Sequence, residues 1–230
     1  MIASEQPVSE AAIADHYDEL DPFYRDIWGQ HVHHGLWLNG NETSEEAVRK
    51  LVELVAQKAE LRRDERVIDI GCGYGALAAF LAVRHPKSKI DYLGVDLSRP
   101  MIERARRRHS GSGRRFTTRT TGFRIADYSV ASGIMNVSLG HSRATWEGFV
   151  ARTLSQMRRT SRLGFSVNFF ADTMGPGTPA DRSVDDLYRT GPERWIRHCE
   201  DELDCAVETV ADYGMKEFTL LARCNRIATA

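Results

Sequence analysis

The chain has 230 residues, of which 42% are hydrophobic and 27% are charged, as in an ordinary globular protein. Its 31 basic and 32 acidic residues leave a net charge of −1, which argues against a protein that coats a polyanion. The four cysteines form no Cys-x-x-Cys pair, so neither a disulfide framework nor a zinc cluster is expected. We see no membrane-spanning run and no signal-peptide pattern, and we expect a cytoplasmic protein.

The N-terminal quarter predicts helices. Residues 10–28 are rich in aromatic side chains and predict helical pieces interrupted at Pro22. Further on, Thr43 and Glu46 have the spacing of a capping box. The apolar residues Val48, Leu51, Val52 and Val55 then follow at helical spacing.

From residue 66 onward, strands alternate with helices. The predicted strands cover residues 66–70, 90–95, 115–120, 126–132, 164–169, 205–211 and 217–223. The predicted helices cover residues 76–83, 99–109 and 145–162, and a shorter one starts near Pro192. This alternation predicts an α/β sheet with helices on both faces. Because only residues 212–216 join the last two strands, the final strand should be antiparallel.

A glycine loop is the strongest feature of the sequence. Gly71-Cys72-Gly73-Tyr74-Gly75 links the first strand to a helix, and Asp96 ends the second strand. Glycines allow a ligand close to the backbone, and an acid at the end of the second strand can accept ribose hydroxyls. Gly71-x-Gly73-x-x-Ala76 also fits the loose dinucleotide fingerprint, so NAD is one candidate ligand.

The second candidate ligand is S-adenosylmethionine, and Asp69 favours it. A carboxylate at this strand end would repel the pyrophosphate of NAD, whereas it suits the ammonium group of a methionine moiety. Asp69 completes the pattern Asp-x-Gly-x-Gly-x-Gly, which resembles motif I of the class I S-adenosylmethionine-dependent methyltransferases. Cys72 inside this loop is interpreted as a small packing residue and not as a nucleophile.

The resemblance to class I methyltransferases extends over residues 64–226. IDIGCGYGAL, YLGVDLSRPMI, ADYSVASGIMNV and DYGMKEFTLLAR each resemble a segment of that fold. The resemblance implies a Rossmann-like, mostly parallel seven-stranded sheet with an antiparallel last strand, and S-adenosylmethionine as cofactor. The cofactor residues that it implies are Asp69, Gly71, Cys72, Gly73, Gly75, Asp96, Leu97, Met101, Ala131 and Ser132.

A second resemblance concerns residues 12–38, which are similar to the N-terminal lid of small-molecule methyltransferases of the tocopherol type. It implies that residues 1–42 form a helical lid on a methyltransferase domain of residues 43–230. The lid residues that would close over cofactor and substrate are Tyr17, Asp18, His33, His34, Gly35 and Trp37. Nearby aromatic residues, including Tyr24 and Trp28, either pack the lid onto the domain or line an acceptor pocket.

The sequence departs from the family pattern where the adenine would bind. Residues 104–126 contain no Asp or Glu, although members of this fold often place an acid near the adenine amino group. The connection at residues 121–125 also looks too short for a full helix. We therefore expect the adenine to be held by main chain, or by Asp127 from an unusual position.

Histidines are the candidates for the chemistry. Methyl transfer needs alignment of the nucleophile, and a hydroxyl acceptor benefits from a base with a pKa near neutrality. His33 and His34 are the favoured bases, with His31 as a substrate contact; a turn that bonds only to itself is the alternative. His141 is a further catalytic candidate and Asn136 a substrate contact, unless this segment only caps the next helix. No metal site is expected.

Two other functions compete with a small-molecule methyltransferase that favours oxygen as acceptor. Seven arginines between residues 104 and 119 could bind RNA as a methylation substrate, or they could be a solvated helix face. The chain could also be a non-catalytic module that binds the cofactor. The Gly- and Pro-rich residues 170–190 are expected to form a loop that affects substrate choice.

Overall fold

The protein is described by a computed structural model. Along residues 22–28 it describes the path of the helix but not the side chains. The described residues are 7–28, 39, 41–43, 46–47, 49–50, 53, 64–86, 90–109, 113–172, 187–211 and 216–225.

The centre of the fold is a mixed eight-stranded sheet. Its strands, in chain order, are β1 (Arg66–Ile70), β2 (Asp91–Val95), β3 (Arg114–Thr117), β4 (Ala126–Ala131), β5 (Ser161–Ala171), β6 (Arg189–Thr190), β7 (Cys205–Val210) and β8 (Glu217–Cys224). They lie in the order β3-β2-β1-β4-β5-β8-β7, with the two-residue β6 beside β5. β8 runs antiparallel to both of its neighbours, β5 and β7, and the other strand pairs are parallel. The predicted sheet and its antiparallel final strand are thereby confirmed, and β6 is an addition.

Five helices are described around this sheet: α1 (Glu10–Trp28), α2 (Ala76–Arg84), α3 (Arg99–Arg108), α4 (Arg143–Thr160) and α5 (Pro192–Arg197), the last continued by a π-helical turn at His198–Glu202. The Thr43–Glu46 capping box is confirmed, since each backbone N–H donates to the other residue's side chain. Within the described residues, no helix is long and apolar enough to cross a membrane.

Two expectations about helix ends were wrong. We expected a break at Pro22, yet α1 continues through it; an interior proline removes one N–H donor and strains the helix, which can kink there without ending. Helix α4 ends at Thr160 and not near residue 162. There Ser161 already pairs with Ala126 of β4, and its hydroxyl bonds the buried Ser129 hydroxyl at 2.6 Å.

Helices pack on both faces of the sheet. Successive strand residues point to opposite faces, so each strand contributes side chains to both helix layers. Val67 and Tyr92 face α2 and α3, where they pack with Leu77, Leu81, Ile102 and Ala105. On the other face, Val167, Phe169 and Leu220 pack with Trp146 of α4 and Trp195 of α5. These two clusters form the core and hold the carboxyl ends of the strands in place.

One part of the second face has no helix over it. Residues 118–125 join β3 to β4 without a helix, as the short connection predicted. Ile68, Val95 and Ala126 therefore form a small separate cluster on which only Phe123 of this connection packs. The sheet above β1 and β2 is left accessible beside α4.

Asp127 does not serve the adenine, and this expectation was wrong. Its carboxylate accepts the backbone N–H of Arg66 at 2.8 Å and the guanidinium of Arg162 at 2.8 Å. Asp127 and Arg66 stand near the starts of β4 and β1. They therefore mark the amino edge of the sheet, opposite to the edge where ligands of such sheets bind.

We predict that Asp127→Ala lowers the free energy of unfolding by about 1–3 kcal/mol, since it leaves the Arg66 N–H and a guanidinium without their acceptor. A matched control is Asp91→Ala at the start of β2, which removes partly exposed ion pairs with Arg115 and Arg124 and should cost less than about 1 kcal/mol. Urea unfolding of both variants measures the difference. Equal losses would contradict the role of Asp127.

Candidate active site

A cavity of about 830 Å³ opens at the carboxyl ends of β1, β2 and β4. Its floor includes Ile70, Gly71, Gly73, Val95 and Asp96. Ile13 and Tyr17 of α1 form part of its wall. Since ligands of open α/β sheets bind at this edge, the position and size of the cavity suit a nucleoside-containing ligand with room for an acceptor.

The glycine loop shapes the floor of the cavity. The N–H groups of Gly71 and Cys72 both donate to the Val95 carbonyl, at 2.8 and 3.1 Å, and thereby join the ends of β1 and β2. Gly75, the N-cap of α2, has φ +84°, and a Cβ there would lie 2.7 Å from Cδ2 of His109. Glycine is needed at this position because other residues rarely adopt the conformation.

Asp96 presents its carboxylate to the cavity. Oδ2 accepts the Gly73 N–H at 2.8 Å and Oδ1 accepts the Ser98 N–H at 2.9 Å. A carboxylate oxygen can accept more than one hydrogen bond, so both oxygens retain capacity for ligand hydroxyls. Burial raises the pKa of Asp96 to about 6. The neighbouring cavity residues Leu97 and Met101 are apolar, a combination that fits an adenosine.

Asp69 lies behind the floor and does not line the cavity. It is buried under α2 and α3, and Oδ2 accepts the Tyr92 hydroxyl at 2.5 Å. Burial raises the pKa of Asp69 to about 7, and the nearby Asp96 charge adds to the rise. Burial also raises the pKa of the Cys72 thiol. Cys72 is thus a neutral packing residue, as its small size suggested, and it does not line the cavity.

Helix α1 is attached to the glycine loop by a buried contact. The Tyr74 hydroxyl donates to Asp21 Oδ1 at 2.5 Å, and Arg104 Nη2 of α3 donates to Asp21 Oδ2 at 3.3 Å. Asp21 is only 5% exposed, so removal of either partner would be costly. This three-residue contact, which the sequence did not reveal, holds the N-terminal helix over the cavity.

The segment after β4 forms another wall, and it includes Ser132 and Asn136. Asn136 Oδ1 accepts the Phe170 N–H at 2.9 Å. Its Nδ2 is buried and has no hydrogen-bond partner among the described residues. Buried amide donors nearly always have partners, so this one suits a ligand. Ala131 is buried at the end of β4 and is not among the cavity residues.

His141 does not reach the cavity. Its backbone N–H donates to the Ser138 carbonyl at 3.0 Å, and the neighbouring Ser142 caps α4. The other predicted histidines, His31, His33 and His34, lie outside the described residues together with Gly35, Trp37 and most of the 170–190 loop. The side chains of Tyr24 and Trp28 also lie outside the described part of the chain.

Sequence reasoning missed the contribution of α4. Phe149, Arg152, Gln156 and Arg159 line the cavity at helical spacing, and Gln156 Nε2 donates to the Thr120 carbonyl at 2.6 Å. In the sequence this polar face looks solvent-exposed. It lines the cavity because the β3–β4 connection has no helix that would cover it.

The arginine-rich segment is largely used within the fold. Arg106 donates to the Phe116 carbonyl at 2.7 Å, Arg108 lies over the Tyr74 ring at 5.0 Å, and Arg115 pairs with Asp91. With Arg104 on Asp21, four of these arginines have intramolecular partners. Arg106, Arg108 and Arg115 remain exposed despite these contacts, so this is a solvated face whose side chains are partly held by intramolecular partners.

The chain belongs to a methyltransferase family. The family model described as "Methyltransferase domain" matches residues 67–164. A Mycobacterium tuberculosis protein named as a methyltransferase, Rv1506c, is 38% identical over 156 residues, or 67% of this chain and 90% of its own length. Together with the fold, these matches define a class I S-adenosylmethionine-dependent methyltransferase, with S-adenosylmethionine as the cofactor.

More distant relatives match less than half of this chain. The 27-O-demethylrifamycin SV methyltransferase of Amycolatopsis mediterranei is 34% identical over 89 residues, covering 39% of this chain and 32% of its own. Tocopherol O-methyltransferase of Arabidopsis thaliana is 30% identical over 105 residues, covering 40% and 29%. The chain thus spans about a third of the length of these two relatives.

Solved structures share the fold. The [4+2]-cyclase SpnF superposes with a TM-score of 0.75 at 18% identity, covering 97% of this chain and 98% of its own. Magnesium protoporphyrin IX methyltransferase of Synechocystis, with bound S-adenosylmethionine, superposes with a TM-score of 0.66 at 15% identity, covering 96% and 100%. Since one fold carries several reactions, the reaction must be argued from the site.

We predict that Tyr74→Phe loosens α1, since it removes the hydroxyl that donates to the buried Asp21. Backbone amides of α1 should exchange with deuterium faster, and the free energy of unfolding should fall by about 1.5–3 kcal/mol. Tyr92→Phe is the matched control, because it removes a similar bond to Asp69 away from α1. If both variants changed α1 exchange equally, the attachment of α1 through Tyr74 would be refuted.

Proposed function

We propose that this protein transfers the methyl group of S-adenosylmethionine to an oxygen of a small-molecule acceptor. The observation that carries the proposal is the Asp96 carboxylate, presented to the cavity beside the glycine loop and flanked by Leu97 and Met101. Two relatives support oxygen as the acceptor atom. One is named as an O-methyltransferase, and the name of the other gives a substrate that lacks an O-methyl group.

In this proposal the cavity orients the cofactor from its two ends. Asp96 accepts the ribose hydroxyls with the lone pairs that Gly73 and Ser98 leave free, and Leu97 and Met101 contact the adenine. Asp69 attracts the ammonium group of the cofactor's methionine moiety through space, and that ammonium group in turn favours the charged form of Asp69. Ser132, in the wall after β4, lies next to the methionine end. No acid is available between residues 118 and 125, so main chain holds the adenine amino group.

The chemistry asks the protein for alignment and for exclusion of water. Methyl transfer from a sulfonium gains most from holding the nucleophile in line. S-Adenosylmethionine supplies the methyl group and the leaving group. We propose that residues 1–42 act as a lid that excludes water and that His33 or His34 takes the proton of the acceptor hydroxyl. The buried Asp21–Tyr74 contact supports this role, since it holds the start of that segment at the cavity.

Asn136 orients the acceptor in this proposal. The Phe170 N–H fixes the side-chain oxygen of Asn136, which leaves the Nδ2 donor for an oxygen atom of the acceptor. Asn136 and Ser132 lie on the same segment, so the acceptor would be placed at the methionine end of the cofactor. An acceptor without an oxygen at this point would leave the donor buried and unpaired, which costs binding energy.

The first functional test is the pH dependence of cofactor binding. Binding needs the Asp96 carboxylate, so the affinity for S-adenosylmethionine should be full above the pKa of about 6 and should fall about tenfold by pH 5. Asp96→Asn should weaken binding at pH 8 by about tenfold or more and remove the part of the fall centred near pH 6, leaving only the dependence that the Asp69 carboxyl, with a pKa of about 7, contributes. Calorimetry measures both quantities.

The control for this test is Asp69→Asn, which keeps Asp96 and should therefore retain a fall in affinity at low pH. If Asp96→Asn bound S-adenosylmethionine as tightly as the wild type, the ribose role would be disproved. NAD titrated in parallel tests the competing ligand, and binding of NAD in place of S-adenosylmethionine would overturn the proposed function.

The second functional test concerns the acceptor side. His33→Ala, His34→Ala and Asn136→Asp should each bind S-adenosylhomocysteine within about twofold of wild type. At least one histidine variant should lose about 100-fold in turnover, and Asn136→Asp should raise KM by about tenfold. Transfer of labelled methyl to a panel of phenolic and hydroxylated small molecules is the measurement.

His141→Ala is the matched control, since His141 lies outside the cavity, and it should turn over at the wild-type rate. Wild-type turnover by both lid variants would exclude the lid base. A large loss with His141→Ala would show that the assignment of the base is wrong.

A further inference from the structure

Two cysteines face each other across the strands β7 and β8. Cys205 begins β7 and Cys224 ends β8, and the two are direct partners in the antiparallel register. At the adjacent pair, the Asn225 N–H donates to the Asp204 carbonyl at 3.2 Å. The ladder of an antiparallel pair alternates, so Cys205 and Cys224 form a non-hydrogen-bonded pair, in which the Cα atoms lie about 4.5 Å apart. That separation falls within the range that disulfides span.

The thiols are already in contact. Cys205 Sγ donates to Cys224 Sγ at 3.8 Å. This bond lowers the pKa of the Cys224 thiol, and the Arg158 guanidinium acts in the same direction. Arg158 is held nearby by its own bonds to the carbonyls of Leu203 and Asn225. A thiolate beside a cation is the reactive form of cysteine.

The other two cysteines lack these features. Cys199 and Cys72 are both fully buried, and burial raises the pKa of Cys199 to about 12. Neither is paired with another cysteine in the sheet register. They therefore serve as internal controls for the reactivity of the β7–β8 pair.

We propose that Cys205 and Cys224 are an oxidation site, which hydrogen peroxide converts to a cross-strand disulfide. The Cys224 thiolate attacks one peroxide oxygen, which breaks the O–O bond, releases hydroxide and leaves a sulfenic acid. The Cys205 sulfur then attacks the Cys224 sulfur and expels the second oxygen as water. The two sulfurs lose two electrons and two protons in total, and one peroxide becomes two waters.

The bond would join the edge strand β7 to β8 at the amino edge of the sheet. β7 runs parallel to β5, because both are antiparallel to β8, so Cys205 lies at the end opposite to the cavity. The disulfide should therefore raise Tm by constraining the unfolded chain and leave the affinity for S-adenosylmethionine within about twofold.

The test treats the full chain with one equivalent of hydrogen peroxide and maps peptides without reduction. Wild type and Cys199→Ser should yield one linked peptide pair containing Cys205 and Cys224, lighter by two hydrogens than the separate peptides. Cys205→Ser should yield a dimedone adduct at Cys224, because the sulfenic acid has no resolving thiol. Cys224→Ser should yield neither product.

Three outcomes would overturn the proposal: no linked pair in wild type, a link that involves Cys199, or a dimedone adduct at Cys205 in preference to Cys224. Each result is read from the thiols alone. The proposed methyl transfer can therefore fail while the oxidation site stands, and the reverse is equally possible.

Discussion

The Asp96 carboxylate at the end of β2 is the contact on which the site depends. It accepts N–H groups from Gly73 and Ser98, so a single side chain fixes the glycine loop and the start of α3 together. The loop can follow this path because its glycines adopt conformations that other residues avoid. A carboxylate partly removed from water is costly to keep charged, and the raised pKa of Asp96 is the consequence. The same group thus supports the loop and, in the proposed function, contacts the ribose.

The N-terminal helix depends on the glycine loop in turn. Tyr74 belongs to the loop and Arg104 to α3, and both bind the buried Asp21 of α1. A charged group removed from water needs its partners, so α1 has a defined place above the cavity. Tyr17, one turn earlier, consequently becomes a cavity residue. The proposed lid function builds on this anchored first helix.

Because no helix lies between β3 and β4, one face of α4 borders the cavity. Residues 118–125 cover little of the sheet, so one face of α4 borders the cavity with Arg152 and Arg159. In a sheet fully covered by helices these side chains would face a neighbour or solvent. Solved structures of this fold share the architecture at 15–18% identity. The acceptor-side features of this chain must therefore come from its own residues.

The sequence by itself determined the fold class and the antiparallel last strand, and it singled out Asp96, Leu97, Met101 and Ser132, which line the cavity, because periodicity, glycines and strand-end acids are local signals. A further contact of this local kind is the cap of α3, where the Ser98 hydroxyl accepts the Met101 N–H at 3.3 Å.

Only the tertiary structure decided that Asp69 lies behind the floor, that Asp127 stands at the opposite edge, and that α4 borders the cavity. Each of these depends on which residues distant in sequence pack together. The Tyr92 hydroxyl donates to Asp69, and the Arg66 N–H and the Arg162 guanidinium donate to Asp127. A sequence pattern reports the chemistry of a side chain, whereas packing determines which of its possible partners it meets.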